Sequence, residues 1–154
     1  MFTNDYGCAG INVIKKTSWA IWKGGIKDGG GTISTETGVL KDAPYGFKSR
    51  FEGGKGTNPE ELIGAAHAGC FSMALALMLG EAGLTAERIE THAAVSLDKV
   101  GDAFVITSSH LTVLAVIPGA SAAQFAKIAN QAKTGCPVSK LLNATITMDA
   151  KLGS

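Results

Sequence analysis

The pattern of apolar and polar residues is clearest between residues 57 and 80, where it predicts one long helix. Asn58 can accept a hydrogen bond from the amide of Glu61, whose carboxylate can reach back, and Pro59 suits the first helical position, where no amide partner is needed. At 1.5 Å per residue, a helix that reaches Leu79 spans about 31 Å, enough to cross a small domain. We therefore expect the rest of the chain to be organised around this helix.

After its first turn, the predicted helix has almost no polar face. Only His67, Gly69 and Ser72 interrupt the apolar residues, so the helix must be covered on most sides. A membrane span is the alternative, but the apolar run is shorter than the roughly 20 residues that a bilayer requires, and two carboxylates open the helix. Small residues in its first half suggest a close helix pair across a two-fold axis. These residues are Gly64, Ala65, Ala66, Ala68 and Gly69.

The chain before this helix predicts three strands. Residues 13–22 and 32–40 are rich in β-branched and aromatic residues, and a glycine-rich turn separates them. Residues 45–51 alternate between two faces, as in a third strand, which places Arg50 near its end. A glycine-rich linker then leads into the helix.

The chain after the helix predicts a hairpin, two more helices and a closing strand. Residues 89–97 and 104–117 are two long strands joined by a turn that contains Gly101. Ser121 can cap a helix that ends near residue 133, Cys136 can open a short helix, and residues 144–152 alternate as a last strand. Strands in runs with helices between them indicate an α+β fold of antiparallel sheet and helices.

Length and charge limit the possible classes of protein. The 154 residues suffice for one domain with a substantial core, so we predict a single domain over residues 13–154. Residues 1–12 show no periodicity and are predicted to be a disordered tail in which Cys8 is a spare thiol. A net charge of +1 without a basic cluster argues against a nucleic-acid partner. The first residues do not resemble a secretory signal, so we expect a cytoplasmic protein.

Cys70 and Cys136 are the strongest candidates for chemistry. Three widely spaced cysteines make neither a disulfide framework nor a metal site with short ligand spacing. Cys136 is expected at a helix N-terminus, where amide dipoles favour a thiolate, whereas Cys70 in mid-helix needs a nearby cation to ionise. On these grounds Cys136 is the better nucleophile and Cys70 is compatible with an inert core residue. The spacing alone leaves their order open.

Other polar residues near Cys70 have both a functional and a structural interpretation. His67 lies three residues before Cys70 on the same helical face and is either its base or a core histidine satisfied by a hydrogen bond. Glu60 and Glu61 open the helix, where its dipole stabilises carboxylates. Arg50 is compatible with an ordinary surface charge.

Three segments resemble a known family: PYGFKSRFEGGKGTNPEELIGAAHAGCFSMALALMLGEAG, VSLDKV and AKTGCPVSKLL. Together they are similar to the OsmC branch of the OsmC/Ohr family, the osmotically inducible, peroxiredoxin-like hydroperoxide reductases. The resemblance covers nearly all of the chain except the tail. It implies an OsmC-like α+β fold with antiparallel sheets and a long buried central helix, in an intertwined homodimer whose active sites lie at the interface.

The resemblance also assigns roles to four residues. Cys70 matches the peroxidatic thiol and Cys136 the resolving thiol, which reverses the order that helix position suggests. Arg50 matches the family's arginine, and Glu60 matches the glutamate of the NPEEL segment. The implied arrangement has Arg50, from the partner chain, stabilising the Cys70 thiolate while Glu60 orients the guanidinium through a bidentate pair.

The implied reaction is the reduction of an organic hydroperoxide to an alcohol, without a metal or bound cofactor. Cys70 becomes a sulfenic acid, Cys136 converts it to a disulfide, and an external dithiol, for which a lipoylated protein is one candidate, reduces the disulfide. Apolar side chains that could favour an organic substrate are Phe47, Phe51, Phe71 and Met73. Two other classes stay open: a cysteine hydrolase or acyl transferase that uses Cys70 and His67, and a non-enzymatic dimer that binds small ligands under stress.

Overall fold

The computed structural model describes residues 13–153 and has the α+β architecture that the sequence predicts. These residues form two compact units, the first up to Gly56 and the second from Thr57 onwards. The predicted tail over residues 1–12, with Cys8, lies outside the described residues, as does Ser154. The single domain over residues 13–154 stays a prediction.

The first unit contains a three-stranded antiparallel sheet. Its strands are β1 (Ser18–Lys23), β2 (Gly30–Thr35) and β3 (Ala43–Tyr45), in the order β1-β2-β3. Trp22 and Tyr45 meet across the sheet with ring centroids 5.4 Å apart. Gly31 lies between them in register, and a Cβ there would lie 2.6 Å from the Tyr45 ring, so glycine makes room for this contact.

The third predicted strand, residues 45–51, is wrong in most of its length. β3 ends at Tyr45, and Phe47–Phe51 form a short helix, α1, which carries Arg50. Ser49 explains the difference, because its hydroxyl accepts a hydrogen bond from the Gly46 amide (2.9 Å) and donates one to the Gly46 carbonyl (3.0 Å). Such local bonds compete with a strand ladder. The two phenylalanine rings of α1, four residues apart, also pack together at 4.9 Å between centroids.

The central helix of the second unit, α2 (Pro59–Glu81), begins where the sequence predicts. The Asn58 side chain accepts a hydrogen bond of 2.8 Å from the amide of Glu61, and Pro59 occupies the first helical position. These contacts satisfy one of the exposed amides at the helix start. The N-terminus of α2 is therefore fixed by local sequence.

The end of α2 is fixed by Gly83, one of the two glycines predicted to close it. Gly83 adopts a left-handed φ of 73°, which costs a glycine little. The turn lets the amide of Leu84 reach the carbonyl of Leu79 at 2.9 Å, while the amide of Gly83 reaches that of Gly80 at 3.0 Å. These two bonds are those of a Schellman ending.

The second unit contains a mixed three-stranded sheet in the order β4-β5-β6. β4 (Arg88–Val100) and β5 (Ala103–Val116) form the predicted antiparallel hairpin, with Gly101 in the turn at a φ of 62°. β6 (Thr145–Gly153) pairs parallel to β5, so this one pair departs from the expected antiparallel sheets. The crossover through α3 (Ala122–Gly135) and α4 (Pro137–Leu141) is the reason, because it returns the chain to the same end of the sheet.

The two crossover helices meet at Cys136. The Ser121 side chain caps α3 as predicted, since it accepts a hydrogen bond of 3.2 Å from the amide of Gln124. The amide of Cys136 donates to the carbonyl of Ala132 at 2.9 Å and so completes α3, and Cys136 also takes the N-cap position of α4. Its thiol is thereby held at the junction between the two helices.

The core of the second unit lies between its sheet, α2 and α3. Alternate residues of β5 are buried, starting at Ser109, because successive side chains of a strand face opposite sides. Phe71, Leu75 and Leu79 enter the core from α2 at intervals of one helical turn. The other core residues are Leu111, Val113, Ala115, Ile117, Phe125, Ile128, Ala129, Ala132 and Cys136.

Within the described chain, α2 is buried on one face, and its other face is apolar and exposed. Met73 is 76% exposed and Leu77 is 64% exposed. By length and composition α2 could also cross a membrane, but its buried face packs against β4 and α3 as that of a core helix does. One chain therefore covers only part of the apolar surface of α2.

The small residues of α2 have two different environments. A Cβ on Gly64 would lie 3.1 Å from the carbonyl oxygen of Ala93, so this glycine lets α2 approach β4 of the same chain. Gly69, in contrast, has open space where its Cβ would be. It belongs to an exposed series spaced alternately by three and four residues, which we call the α2 stripe. The α2 stripe consists of Ala66, Gly69, Met73, Ala76 and Gly80.

Candidate active site

The fold brings Cys70 and Cys136 together. Cys70 lies in the middle of α2 and Cys136 at the junction of α3 and α4, 66 residues further along the chain. Both are free thiols, and their sulfurs lie 2.8 Å apart, joined by an S–H···S hydrogen bond. Two thiols in direct contact can form a disulfide with little movement. This pairing is the central feature of the site.

The two thiols differ in their access to solvent. Cys136 is fully buried in the core of the second unit, whereas Cys70 is partly exposed. A small molecule that approaches from water therefore reaches the sulfur of Cys70 first. Access thus favours Cys70 as the attacking thiol, although helix position alone favours Cys136.

Burial and hydrogen bonding set the protonation of Cys70. Burial raises the pKa of the Cys70 thiol, because it disfavours the charged thiolate, and the contact with Cys136 raises it further. The backbone amide of Val138 opposes both effects, since a hydrogen bond from this amide to the Cys70 sulfur stabilises the thiolate. In one chain the net result is a pKa above the ordinary value, so Cys70 stays protonated at neutral pH.

His67 is a buried core histidine rather than a base for Cys70. Its Nδ1 lies 2.7 Å from the hydroxyl oxygen of Ser109 on β5, and its Nε2 lies 2.8 Å from that of Ser139 on α4. Both ring nitrogens are thus occupied by serines. Burial lowers the pKa of His67, which keeps the imidazole neutral. The interpretation of His67 as a core histidine is confirmed. Both of its ring nitrogens are engaged by serines, so neither serves Cys70 as the base that a Cys70–His67 hydrolase requires.

Sequence reasoning did not find the two serine partners of His67. Ser109 lies 42 residues from His67 along the chain, and Ser139 lies 72 residues away. Serine is common on strands and short helices alike, so neither residue has a pattern that marks it. A buried histidine does predict polar partners, but it does not predict their positions.

Arg50 and Glu60 lie in different units of the chain. Arg50 is an exposed residue of α1 in the first unit, where its guanidinium lies over the ring of Phe51, 5.3 Å from the centroid. Glu60 is partly buried in the first turn of α2, in the second unit. Their roles toward Cys70 stay predictions.

Of the apolar side chains proposed to face a substrate, Phe71 does not qualify. It is fully buried in the core on the sheet side of α2. Met73 is on the exposed side of the same helix.

A groove of about 440 Å³ between the C-terminal part of α2 and α3 includes neither cysteine. Within residues 13–153, no group of three histidine, cysteine, aspartate or glutamate side chains is arranged to hold a metal ion.

The chain matches one family model and several named proteins. Residues 52–151 match the model described as OsmC-like protein. Over 141 residues the chain is 60% identical to Peroxiredoxin OsmC of Escherichia coli K12, a match that covers 92% of this chain and 99% of that protein. Peroxiredoxin OsmC of Shigella flexneri matches with the same identity and coverage.

Solved structures share the fold. An OsmC-like protein of unknown function from Vibrio cholerae superposes with a TM-score of 0.72 at 16% identity, over 90% of this chain and 100% of that one. The organic hydroperoxide resistance protein OhrB of Bacillus subtilis superposes with a TM-score of 0.64 at 26% identity, over 89% and 98% of the two chains. The first likeness concerns the fold alone.

Proposed function

This chain belongs to the family of OsmC-like proteins, and on that basis we propose that it is a thiol-dependent peroxidase that reduces organic hydroperoxides to alcohols. The relatives named Peroxiredoxin OsmC support the peroxidase activity, and the name of the Bacillus subtilis protein supports the substrate class. The observation that carries the proposal is the contact of 2.8 Å between one accessible and one buried thiol, Cys70 and Cys136.

In the first step, the Cys70 thiolate attacks the terminal oxygen of the hydroperoxide. The oxygen–oxygen bond breaks, and the alkoxide takes up a proton and leaves as the alcohol. The sulfur is oxidised to a sulfenic acid while the peroxide is reduced. The partial exposure of Cys70 supports its role in this step, because the substrate arrives from solvent.

In the second step, Cys136 attacks the Cys70 sulfur. The sulfur–sulfur bond forms, the sulfur–oxygen bond breaks, and the hydroxyl leaves as water with the proton of the Cys136 thiol. From their separation of 2.8 Å, the two sulfurs approach by less than about 1 Å to reach bonding distance. An external dithiol, with a lipoylated protein as one candidate, then reduces the disulfide.

Arg50 and Glu60 are proposed to supply the charge that the thiolate needs. In the described part of one chain, the groups that shift the pKa of Cys70 are its burial, the Cys136 thiol and the Val138 amide, and none of them is a cation. Arg50 of a second copy would oppose the effect of burial and stabilise the charge on the peroxide oxygens. Glu60 would orient its guanidinium through paired hydrogen bonds.

A second copy of this chain is also proposed to cover α2, in an intertwined homodimer. The α2 stripe has the alternating three- and four-residue spacing of a helix that packs along another helix. Its small residues would let the two helices approach closely around Met73. The active sites would lie at this interface, because Gly69 of the stripe is adjacent to Cys70.

An organic substrate is proposed over hydrogen peroxide. Met73 lies one helical turn after Cys70, so at the proposed interface its apolar side chain would border the site that receives an organic tail. Equal catalytic efficiency on hydrogen peroxide and on a bulky alkyl hydroperoxide would contradict this preference.

We further propose that the protein works in the cytoplasm and needs no metal, bound cofactor, nucleic acid or membrane.

Consumption of an alkyl hydroperoxide in the presence of excess dithiol tests the proposal. We expect Cys70→Ser to abolish consumption, because no sulfenic acid can form. Cys136→Ser should retain one stoichiometric turnover and then depend on the external dithiol to reduce Cys70. If Cys70→Ser still consumes the peroxide, the proposed mechanism is wrong. A stable acyl adduct on Cys70 after treatment with an activated ester, without peroxidase activity, would favour a hydrolase instead.

A further inference from the structure

His67 and Ser139 form a second contact between α2 and α4, beside the thiol pair. Cys70 follows His67 by three residues on α2, and Ser139 follows Cys136 by three residues at α4. The contact between His67 and Ser139 measures 2.8 Å, as does the contact between the two sulfurs. The two segments therefore run past each other in opposite directions with one contact per helical turn.

We infer that His67 is a positioning residue for the resolving step, which holds α4 through Ser139 so that Cys136 stays within reach of Cys70. This inference rests on the proposed function in one respect, namely that Cys70 is attacked by Cys136. It assigns His67 a role that requires no proton transfer with either sulfur. The role is mechanical and acts through α4.

His67 is itself held firmly. It is fully buried, and the hydrogen bond of 2.7 Å to Ser109 ties it to β5, the central strand of the sheet. A neutral imidazole donates from one nitrogen and accepts at the other, and a serine hydroxyl can complement either role. The bond from His67 to Ser139 therefore connects α4 to the sheet as well as to α2.

The helix α4 is short and, beyond Cys136 at its N-terminus, only partly buried. It has only five residues, too few for a stable helix by itself, and Leu141 near its end is 78% exposed. Val138 is only partly buried against the core. Cys136 must change its bonding partner during the reaction, whereas the bond to His67 can persist through it. A fixed Ser139 thus keeps the N-terminus of α4 at Cys70 while the sulfur chemistry proceeds.

An aromatic disulfide that releases a coloured thiolate, 5,5′-dithiobis(2-nitrobenzoate), separates the two steps. The Cys70 thiolate attacks the reagent, a protein–reagent mixed disulfide forms, and one coloured thiolate leaves. Cys136 then attacks the Cys70 sulfur, the internal disulfide forms, and the second coloured thiolate leaves. All chains carry Cys8→Ser, so that the third thiol does not contribute. The first release reports attack, and the second reports resolution.

We expect Ser139→Ala to slow the second release about fivefold, the factor expected for the loss of one hydrogen bond. The first release should slow by less, because α4 acts on the attack by Cys70 only through the amide of Val138. Ser139→Thr keeps the hydroxyl and should restore the rate. Ser72→Ala is the matched control, because it removes another hydroxyl contact of α2, the bond of 2.8 Å between Ser72 and Thr91 on β4. It should leave both releases unchanged. In a chain that already carries His67→Leu, Ser139→Ala should cause no further slowing.

Several outcomes would overturn the inference. These are a second release at the wild-type rate in Ser139→Ala, the same slowing in Ser72→Ala, or a first release that falls by the same factor as the second. The assay also separates this inference from the proposed function. A wild-type chain that releases both thiolates but consumes no alkyl hydroperoxide contradicts the peroxidase and leaves the role of His67 standing.

Discussion

The backbone amide of Val138 donates a hydrogen bond to the sulfur of Cys70. Val138 is the second residue of α4, so the positive end of this helix, which the sequence pattern assigns to Cys136, acts on the other thiol. The bond stabilises the thiolate and opposes burial, which raises the pKa of Cys70 and is the larger effect. Cys136 is the N-cap of α4, but the hydrogen bond that the amide of Val138 donates at this helix end goes to Cys70.

An ester in place of the Val138 amide should raise the pKa of Cys70 further. Incorporation of the corresponding α-hydroxy acid removes the N–H donor and keeps the side chain. Because hydrogen bonds to charged groups are strong, we expect alkylation of Cys70 by iodoacetamide at neutral pH to slow by about tenfold. The pH dependence of the alkylation rate, measured with Cys8→Ser and Cys136→Ser, gives the pKa. Val138→Ala keeps the amide and should titrate like the parent. An unchanged titration for the ester would rule out this role of the amide.

If Cys136 resolves Cys70, its loss should make the protein sensitive to excess substrate. In Cys136→Ser, the Cys70 sulfenic acid has no thiol partner in the core, so further peroxide oxidises it to the sulfinic acid. Mass spectrometry of the peptide that contains Cys70 should then show a gain of two oxygen atoms and a permanent loss of activity. The wild type, treated alike with dithiol present, should show neither. Equal oxidation of both proteins would mean that Cys136 does not resolve Cys70.

A charge on the α2 stripe should prevent dimer formation. Met73 is 76% exposed in one chain, and the proposed partner helix would bury it, so Met73→Glu places a carboxylate in an apolar interface. We expect the mass from light scattering to fall from two copies to one. Val39→Glu changes another exposed apolar residue, 86% exposed and outside α2, and should leave the mass unchanged. A Met73→Glu protein that stays dimeric would place the contact between copies elsewhere.

Removal of the Arg50 guanidinium should reduce peroxide reduction through the ionisation of Cys70. If Arg50 stabilises the thiolate, Arg50→Met loses the opposing charge and raises the pKa of Cys70, with a fall in kcat/KM of about a hundredfold. Arg50→Lys keeps the charge but not the paired donors, so its loss should be smaller. Stopped-flow rates across a range of pH give both kcat/KM and the pKa of Cys70. A pKa of Cys70 that is the same in Arg50→Met and the wild type would contradict the proposed role.

The buried imidazole of His67 should make the fold sensitive to mild acid. Burial lowers its pKa below the ordinary value of 6.5, so the unfolded chain binds a proton more readily than the folded chain. The free energy of unfolding should therefore be fully retained above pH 6.5. It should fall as the pH drops from there towards the pKa that His67 has in the folded chain. One proton accounts for a slope of at most about 1.4 kcal/mol per pH unit.

Urea unfolding between pH 7.5 and pH 5.5 measures this slope. His67→Gln lacks the titrating group and should show a flatter dependence, even if it is less stable throughout. His92→Gln removes an exposed imidazole on β4 and is the matched control. Equal slopes in the wild type and His67→Gln would show that protonation of His67 is not linked to unfolding.

Local signals predicted α2, α3 and α4 well, but they extended the first two strands by about five residues each and missed α1. The starts of α2 and α3 follow from a capping side chain within three residues, and the end of α2 follows from a glycine. Residues 45–51 alternate like a strand, but the hydrogen bonds between Ser49 and Gly46 favour a helix. Alternation over so short a segment fits both structures, so periodicity alone could not decide.

The site could be predicted from sequence only in part. Cys70 and Cys136 were identified as candidates, but their contact depends on how α2 packs against the crossover, which no local pattern encodes. Their difference in exposure, which favours Cys70 as the attacking thiol, is likewise a property of the packed core. The parallel pairing of β6 escaped prediction for a similar reason, because strand direction depends on the whole crossover.

The place of Cys136 in the connection between β5 and β6 sets an order of events during synthesis. Cys70 is made 66 residues before Cys136, and a parallel strand can dock only after its entire crossover has formed. A chain still on the ribosome therefore has Cys70 but not yet the thiol that Cys70 contacts in the folded protein. The contact between the two thiols can form only after α2, the β4–β5 hairpin and α3 have all been synthesised.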